Sequence, residues 1–275
     1  MRVKTNVSAI NSRNKLEVNI RDLDKANRSL ATGDRINQAA YDPSGLSISE
    51  SMKARIRSFS QAERNANDSI SLIQTAEGGL STIQSMAARM KELALQSATD
   101  TLGLEDRSRV DTEFQQMKKE IKRVIESAEF NGRKILDGST GVLEFQVGIH
   151  NNAEGQKLRY DMSKLLRNSD KVSLSGASVR SKLGSQRVLP EIDSMLKEVS
   201  GARAAIGAIQ NRVHSMVSNL QVSKEGVSAA NSRIRDTDVA KASASKAISS
   251  IKTDASAGYM AHSNNISAGA LKLIE

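Results

Sequence analysis

Histidine, cysteine and clustered carboxylates are the side chains that most often carry acid–base, nucleophilic or metal chemistry. Here they stand where they cannot act together. The three histidines, His150, His214 and His262, are far apart, and none has a second histidine or a carboxylate at the spacing of an HExxH-type metal site. His214 directly follows Val213 and flanks an apolar stripe. Cysteine is absent, which removes disulfides, zinc fingers and thiolate nucleophiles. There is no P-loop, no GxGxxG after a strand and no nucleophile elbow. Asp and Glu are spread as helix-surface charge, with no two forced into one cleft. The expectation is a protein that is not an enzyme, with no catalytic, cofactor-binding or metal residues and no cofactor.

Charge suggests a polyanion partner and then argues against one. The formal net charge is +9, and Lys118-Lys119 with Lys122-Arg123 is the densest basic cluster. The same stretch carries Glu113, Glu120, Glu126 and Glu129, so it reads as a solvated helix face. Aromatic residues are only 3% of the chain, too few for a base-stacking platform, and no nucleic-acid partner is expected. No apolar run approaches the roughly 18–20 residues needed to cross a bilayer, so no membrane span is expected. The opening MRVKTNVSAI lacks the apolar core and small-residue cleavage site of a secretory signal, so a cleaved signal peptide is not expected.

What remains is helix-to-helix association, and the elements can be read from periodicity. The chain has two prolines, Pro43 and Pro190, and both sit where a helix could start, since proline costs least in a first turn. From Met52 the apolar positions run Ile56, Phe59, Ala66, Ile70, Ile73, Leu80, Ile83, Met86, Met90 and Leu93, in steps of three and four with polar gaps. Gly78-Gly79 inside this stripe predicts a close packing contact or a local softness. Val110, Phe114, Met117, Ile121, Val124 and Ala128 predict a second helix over about 105–128, antiparallel to the first. After Pro190, Ile192, Val199, Ile206, Val213, Leu220, Val227 and Ile234 recur every seven residues, a coiled-coil seam. Companions Met195, Ala202, Ile209, Met216 and Ala230 follow three residues after.

Between these helices the character changes. Asn131-Gly132 and Asp137-Gly138 are turn signals. Val142–Val147 and Lys157–Met162 predict a β-hairpin, within about 141–162. The Ser- and Gly-rich stretch Leu174–Ser185 reads as a surface loop. At the ends, Val3, Val7, Ile10, Leu16, Ile20, Leu23 and Leu30 mark one thin amphipathic helix, and Ile248, Ile251, Ala255, Tyr259, Ile266 and Leu273 mark another. Seams this thin predict ends that are disordered in an isolated monomer and ordered against other chains. The fold class expected is mainly α: an elongated antiparallel helical bundle or coiled coil with a small β-hairpin region.

Several motifs, in order along nearly the whole chain, resemble bacterial flagellin. The start MRVKTNVSAINSRNKL resembles that family's opening, Ser29–Asn37 its "LSSGxRIN" turn, and Asp42–Ser49 its "DDxxGLAIS". Gln61–Asn65 and Ile73–Gly78 follow at the expected distances. Arg89–Ser97 resembles "RMRELAVQS", Glu129–Gly132 "xxFNG", and Asn231–Asp238 "SRIRDxDxA". Hook–filament junction proteins have similar ends, but the extent of the Arg89–Ser97 and Asn231–Asp238 matches favours flagellin. Two departures stand out. The short stretch between Asn131 and Pro190 replaces the family's variable outer domains, giving a minimal form with core domains alone. The tail has Lys246–Ile251 and Met260–Asn265 where the family has Gln-rich "NQILQQAG" and "LAQAN" elements.

The resemblance implies a structural subunit that polymerises into the flagellar filament, the propeller of swimming motility, outside the cell. It implies paired N- and C-terminal helices forming an inner domain from residues 1–43 and 236–275. The outer bundle would take residues 44–189, including the hairpin, and the helix 190–235. The polymerisation residues would be Val3, Val7, Leu23, Leu30, Ile248, Ile251, Ile266 and Leu273, and the bundle seam would run from Ile192 to Ile234. Implied partners are the chain itself, in a helical homopolymer or with other flagellins, an export chaperone and the flagellar type III export apparatus, and the filament cap and hook-junction proteins. In this family an innate host receptor reads a patch whose matching positions here are Arg89, Leu93 and Glu113; Ala88 stands where many recognised members carry Gln.

Overall fold

The structure, a computed structural model, describes residues 5–150, 156–162, 174 and 176–272, with side chains through Asn265. Its elements are α1 Val7–Thr32, α2 Pro43–Ser97, α3 Leu104–Ser127, β1 Glu129–Phe130, β2 Arg133–Lys134, β3 Val142–Gln146, β4 Lys157–Asp161, α4 Lys182–Arg235 and α5 Val239–Lys272. The fold is mainly α, with the first and last helices packed together and two small antiparallel hairpins. The chain forms two compact units. A terminal unit joins Met1–Ile56 to Glu225–Glu275, and a bundle unit spans Arg57–Lys224.

In the bundle unit the three apolar stripes meet. Ile83, Met90, Leu93, Phe114, Ile121, Ile192, Val199, Ile206 and Val213 are all 2% exposed or less, a core made by facing seams. Polar ties on its rim show the antiparallel order of α2 and α4: Lys91 with Asp193 at 2.7 Å, Arg203 with Gln84 at 2.6 Å, and Gln221 with Glu63 at 2.9 Å. The basic cluster on α3 is engaged locally. Arg123 pairs with Glu120, Lys122 with Glu126, and Lys118 Nζ donates to the Ala177 carbonyl.

The hairpins close one flank. Asn131 (φ 50°) and Gly132 (φ 75°) turn β1 into β2, the positive-φ pair that a two-residue hairpin needs. This hairpin delivers Leu136 onto Gly79, where an added Cβ would stand 2.7 Å from Leu136 Cδ1. Gly79 is therefore a site of close packing, whereas nothing lies within 4 Å of a Cβ at Gly78. β3 and β4 pair in the register Val142↔Asp161 to Gln146↔Lys157, and Glu144 bridges Lys157 and Arg159 across them.

Two expectations need correction here. Pro190 does not start a helix: α4 begins at Lys182 and Pro190 lies inside it. A proline there cannot donate to the carbonyl of Gln186, but the preceding turns are held independently. The Ser185 N–H donates to the Ser181 carbonyl, its hydroxyl to the Val179 carbonyl, and Val188 is buried. Nor is Leu174–Ser185 a surface loop throughout. Leu174, Val179 and Ser185 are buried, and the described part is a strap pinned to the bundle. Its anchor is Asp111 of α3, whose carboxylate accepts from the Val179 N–H (2.8 Å), the Ser178 hydroxyl (2.9 Å) and Gln115 Nε2 (3.3 Å). The Ser97 hydroxyl donates to the Val179 carbonyl.

Asp111→Ala should leave the buried Val179 N–H without an acceptor and lower bundle stability by roughly 2–4 kcal/mol. Asp111→Asn, which keeps one carbonyl acceptor, should cost less. Thermal melting of the full chain measures both, and equal melting temperatures for Asp111→Ala and the parent would show that the strap is held without this carboxylate.

Candidate assembly surface

In the terminal unit, α1 opens on Asn6, whose side-chain oxygen accepts from the Ala9 N–H at 3.0 Å, an N-cap. It closes at Gly33 in the left-handed region (φ 72°), with the Gly33 N–H bonded to the Ser29 carbonyl. The helix packs antiparallel to α5. Asn6 Nδ2 donates to the Ser263 carbonyl (3.1 Å), and Asn19 Nδ2 to the Ser256 hydroxyl (2.8 Å) and the Lys252 carbonyl (3.2 Å). The residues buried along the pair are small: Ser12, Ala26, Ser29 and Ser263. Small residues let two helix backbones approach closely, so amide and hydroxyl ties can cross between them.

Most of the valines and isoleucines of the pair are exposed instead. Val7 is 51% exposed, Ile20 48%, Ile248 53% and Ile251 68%. Ile10, Val18, Val239 and Tyr259 are exposed as well. Leu23 and Leu30 are half-buried. Val3 and Leu273 lie outside the described residues, as does the side chain of Ile266. This inverts the usual arrangement of an amphipathic helix pair. Polar ties and small-residue contact join the two helices, with these valines and isoleucines left exposed. A groove of about 680 Å³ runs beside the pair, lined by Asp22, Lys25 and Ser29 of α1 and Lys241, Ser245 and Ile248 of α5.

Below the pair the chain crosses itself. Arg235 Nε bonds Asp34 Oδ2 at 2.8 Å and its Nη1 reaches Glu50. Arg35 Nη2 donates to the Ile234 carbonyl at 2.6 Å. Ser49 of α2 donates to Asn231 Oδ1 at 2.8 Å. Gly45 packs so tightly against Ile36 that an added Cβ would stand 2.8 Å from Ile36 Cδ1, so the "GDRIN", "DPSG" and "SRIRD" segments form one contact region.

These segments decide the family. The model of the bacterial flagellin N-terminal helical region matches residues 3–140, and that of the C-terminal helical region matches residues 189–274. The chain belongs to the flagellin family. The flagellin of Halalkalibacterium halodurans is 36% identical over 274 residues, covering the whole of both chains. A flagellar filament core protein of Brachyspira hyodysenteriae is 33% identical over 285 residues, again with both chains covered in full. The crystal structure of Bacillus cereus flagellin, 24% identical, superposes with a TM-score of 0.51 over 57% of this chain and 88% of that one, a likeness of fold. The role this membership carries is that of a structural subunit of the flagellar filament, not an enzyme. Among the described residues no group of side chains could hold a metal ion, and no helix is long and apolar enough to cross a membrane.

As a flagellin, the chain keeps its bundle seam at Ile192, Val199, Ile206, Val213 and Leu220 buried, with Val227 and Ile234 half-buried in the terminal unit. Of the positions matching the family's receptor patch, Arg89 is exposed, with its guanidinium bonded to Glu113 at 2.9 Å and Glu92 at 3.0 Å. Leu93 is 1% exposed and belongs to the core. A spacing of four predicts that Arg89 and Leu93 share one helix face, but the structure puts Arg89 at the surface and Leu93 in the interior. The surface of that patch is Arg89, Glu92 and Glu113, a charged cluster.

The residues that sequence reading missed are the small and polar ones. Ser12, Ser29, Ser263 and Asn19 carry no hydropathy signal. Asn6 and Gly33 do stand where helix start and stop signals are expected.

Proposed function

We propose that this chain polymerises through the outward aliphatic face of the α1–α5 pair. The observation that carries the reading is the inversion described above: the pair encloses serine and alanine and leaves Val7, Ile20, Ile248 and Ile251 to solvent. Exposed aliphatics are costly for a free subunit and become stabilising once neighbouring copies cover them. Repeated heterologous contact that does not close into a ring propagates as a helical tube. On this reading residues 1–43 and 236–275 supply the contacts between subunits.

The same exposure accounts for the other partners. An export chaperone would cover the α5 face before secretion, and a pair held by small residues and a few polar ties would open readily for passage through a type III export channel. Cap and hook-junction proteins would meet the same helices at the filament ends. The Arg89, Glu92 and Glu113 cluster would present charge to a host receptor, with Leu93 supporting it from beneath.

The test is Ile251→Ser. At 68% exposure the change should leave the melting of the single chain within about 0.5 kcal/mol. Covered in a polymer, the side chain contributes about 1.5–3 kcal/mol, so the critical concentration for assembly should rise roughly tenfold or more. An unchanged critical concentration for both Ile251→Ser and Ile248→Ser would remove this face from the interface.

A further inference from the structure

A helix seam made of small residues says little about how its two helices should align. In the terminal pair, Ser12, Leu16, Asn19, Leu23, Ala26 and Leu30 are buried or half-buried positions of α1, in steps of four and three. Their counterparts on α5 are Ser249, Thr253, Ser256, Met260 and Ser263, again in steps of four and three. Among the described residues, Met260 is the one large apolar side chain on that α5 seam. The leucines of α1 therefore meet mostly hydroxyl-bearing residues, and apolar packing alone would hold several alignments at similar cost.

Asn19 distinguishes between them. It stands on the seam itself, between Leu16 and Leu23, and its Nδ2 donates to both the Ser256 hydroxyl (2.8 Å) and the Lys252 carbonyl (3.2 Å). A slip of four residues would set it against Met260, whose thioether is a poor acceptor. A slip of three would set it against Thr253, which brings a methyl group where Ser256 has none. A slip of a whole heptad is opposed where the chain crosses itself, because the Gly33 carbonyl accepts from the Thr237 N–H at 2.8 Å. Asn6 adds a second anchor at the far end. Its side-chain oxygen caps α1 at the Ala9 N–H, while its Nδ2 donates to the Ser263 carbonyl at 3.1 Å.

We propose that Asn19, supported by Asn6, fixes the alignment of α1 on α5 in the assembled subunit, as a polar residue in a coiled-coil seam selects one register at some cost in stability. Seams this thin do not hold the pair in the isolated chain, so the contact acts when subunits come together. Alignment decides where the exposed Ile20, Ile248 and Ile251 stand relative to one another, and so which surface a neighbouring copy meets. Asn19 is a positioning residue, which sets that surface without belonging to it. This role rests on polymerisation through these helices and adds the residue that selects their pairing.

A double-variant cycle on the full-length protein, read as the critical concentration for filament assembly, tests the role. Asn19→Ala should raise that concentration about threefold to tenfold, the effect of one hydrogen bond. Ser256→Ala should raise it less, because the Lys252 carbonyl still accepts. The double variant should match Asn19→Ala alone, the mark of one shared contact. Monomer melting should be parental in all three. By electron cryo-microscopy, Asn19→Ala filaments should show α1 and α5 shifted or mixed in register, whereas Ile251→Ser filaments keep the parental register. If Asn19→Ala does not assemble, Asn19→Ser, too short to span to Ser256, takes its place in the same cycle. Additive effects, an unchanged critical concentration, a parental register without Asn19 or a lowered monomer melting temperature would each overturn the proposal. A coupled cycle beside unchanged assembly of Ile251→Ser would keep the alignment role and remove the aliphatic face. An additive cycle beside impaired assembly of Ile251→Ser would do the reverse.

Discussion

Replacing Ile206 or Val213 by Asp should lower the melting temperature of the bundle by roughly 10 °C, whereas Lys197→Asp should leave it nearly unchanged. Ile206 and Val213 are 2% and 0% exposed on α4, inside a core shared with α2 and α3. A carboxylate at either position would lose the transfer free energy of the aliphatic side chain, leave a void, and place an unpaired charge out of water. The combined cost is about 3–5 kcal/mol, and domains of this size shift by about 2–4 °C per kcal/mol. Lys197 is on the same helix but exposed, so a charge reversal there meets solvent. Melting followed by circular dichroism on the three single variants decides the matter. Equal shifts at seam and surface positions would mean that the heptad does not face the core.

The seam was legible because its signal is redundant. Apolar residues repeat every seven positions from Ile192 to Ile234, so a few exceptions do not obscure the face that must be buried. The β3–β4 hairpin was legible for a similar reason, with Asp137-Gly138 before its first strand and Asn151-Asn152 between the two. The strap was not. Its serines and glycine read as a solvated loop, because the feature that buries Val179 is a carboxylate on another helix, Asp111, and a lone Asp in an amphipathic helix reads as surface charge. The start of α4 was misplaced for a related reason. Pro190 is a strong local marker, and the capping of the earlier turns comes from residues of the strap.

The terminal pair was legible only in part. Its helices and its aliphatic stripes follow from periodicity, and their pairing from the flagellin resemblance. Which face turns inward does not follow from either. Hydropathy assigns the aliphatic stripe to the interior of any helix pair, while the structure gives the interior to Ser12, Ala26, Ser29 and Ser263. The crossing at Arg35 and Arg235 joins residues 200 positions apart in sequence, so no local pattern could place them together. Both the inverted face and the crossing concern how one chain meets another or itself, and both rest on contacts that single-helix periodicity does not encode.

Removing about 30 residues from either end should abolish filaments and leave the bundle folded. An N-terminal truncation of that length deletes Val7 and Leu23, together with the Asn6 and Asn19 side chains that tie α1 to α5. A C-terminal truncation deletes Ile248, Ile251 and the Lys252, Ser256 and Ser263 acceptors that those asparagines bind. Each lost aliphatic forfeits about 1.5–3 kcal/mol of burial in the polymer, and the remaining helix loses its only long partner among the described residues, so neither surface nor pairing survives. The bundle is exposed to none of this. Its core residues lie between Arg57 and Lys224, its strap is pinned by Asp111, and its seam contains no residue from either truncated segment. Electron microscopy and thermal melting on the same two truncated proteins therefore give independent readouts. Filaments that form without either end would remove the terminal helices from the assembly mechanism. A missing melting transition would instead make the ends part of the bundle's own fold, since a unit that depends on them for cohesion cannot outlast their removal.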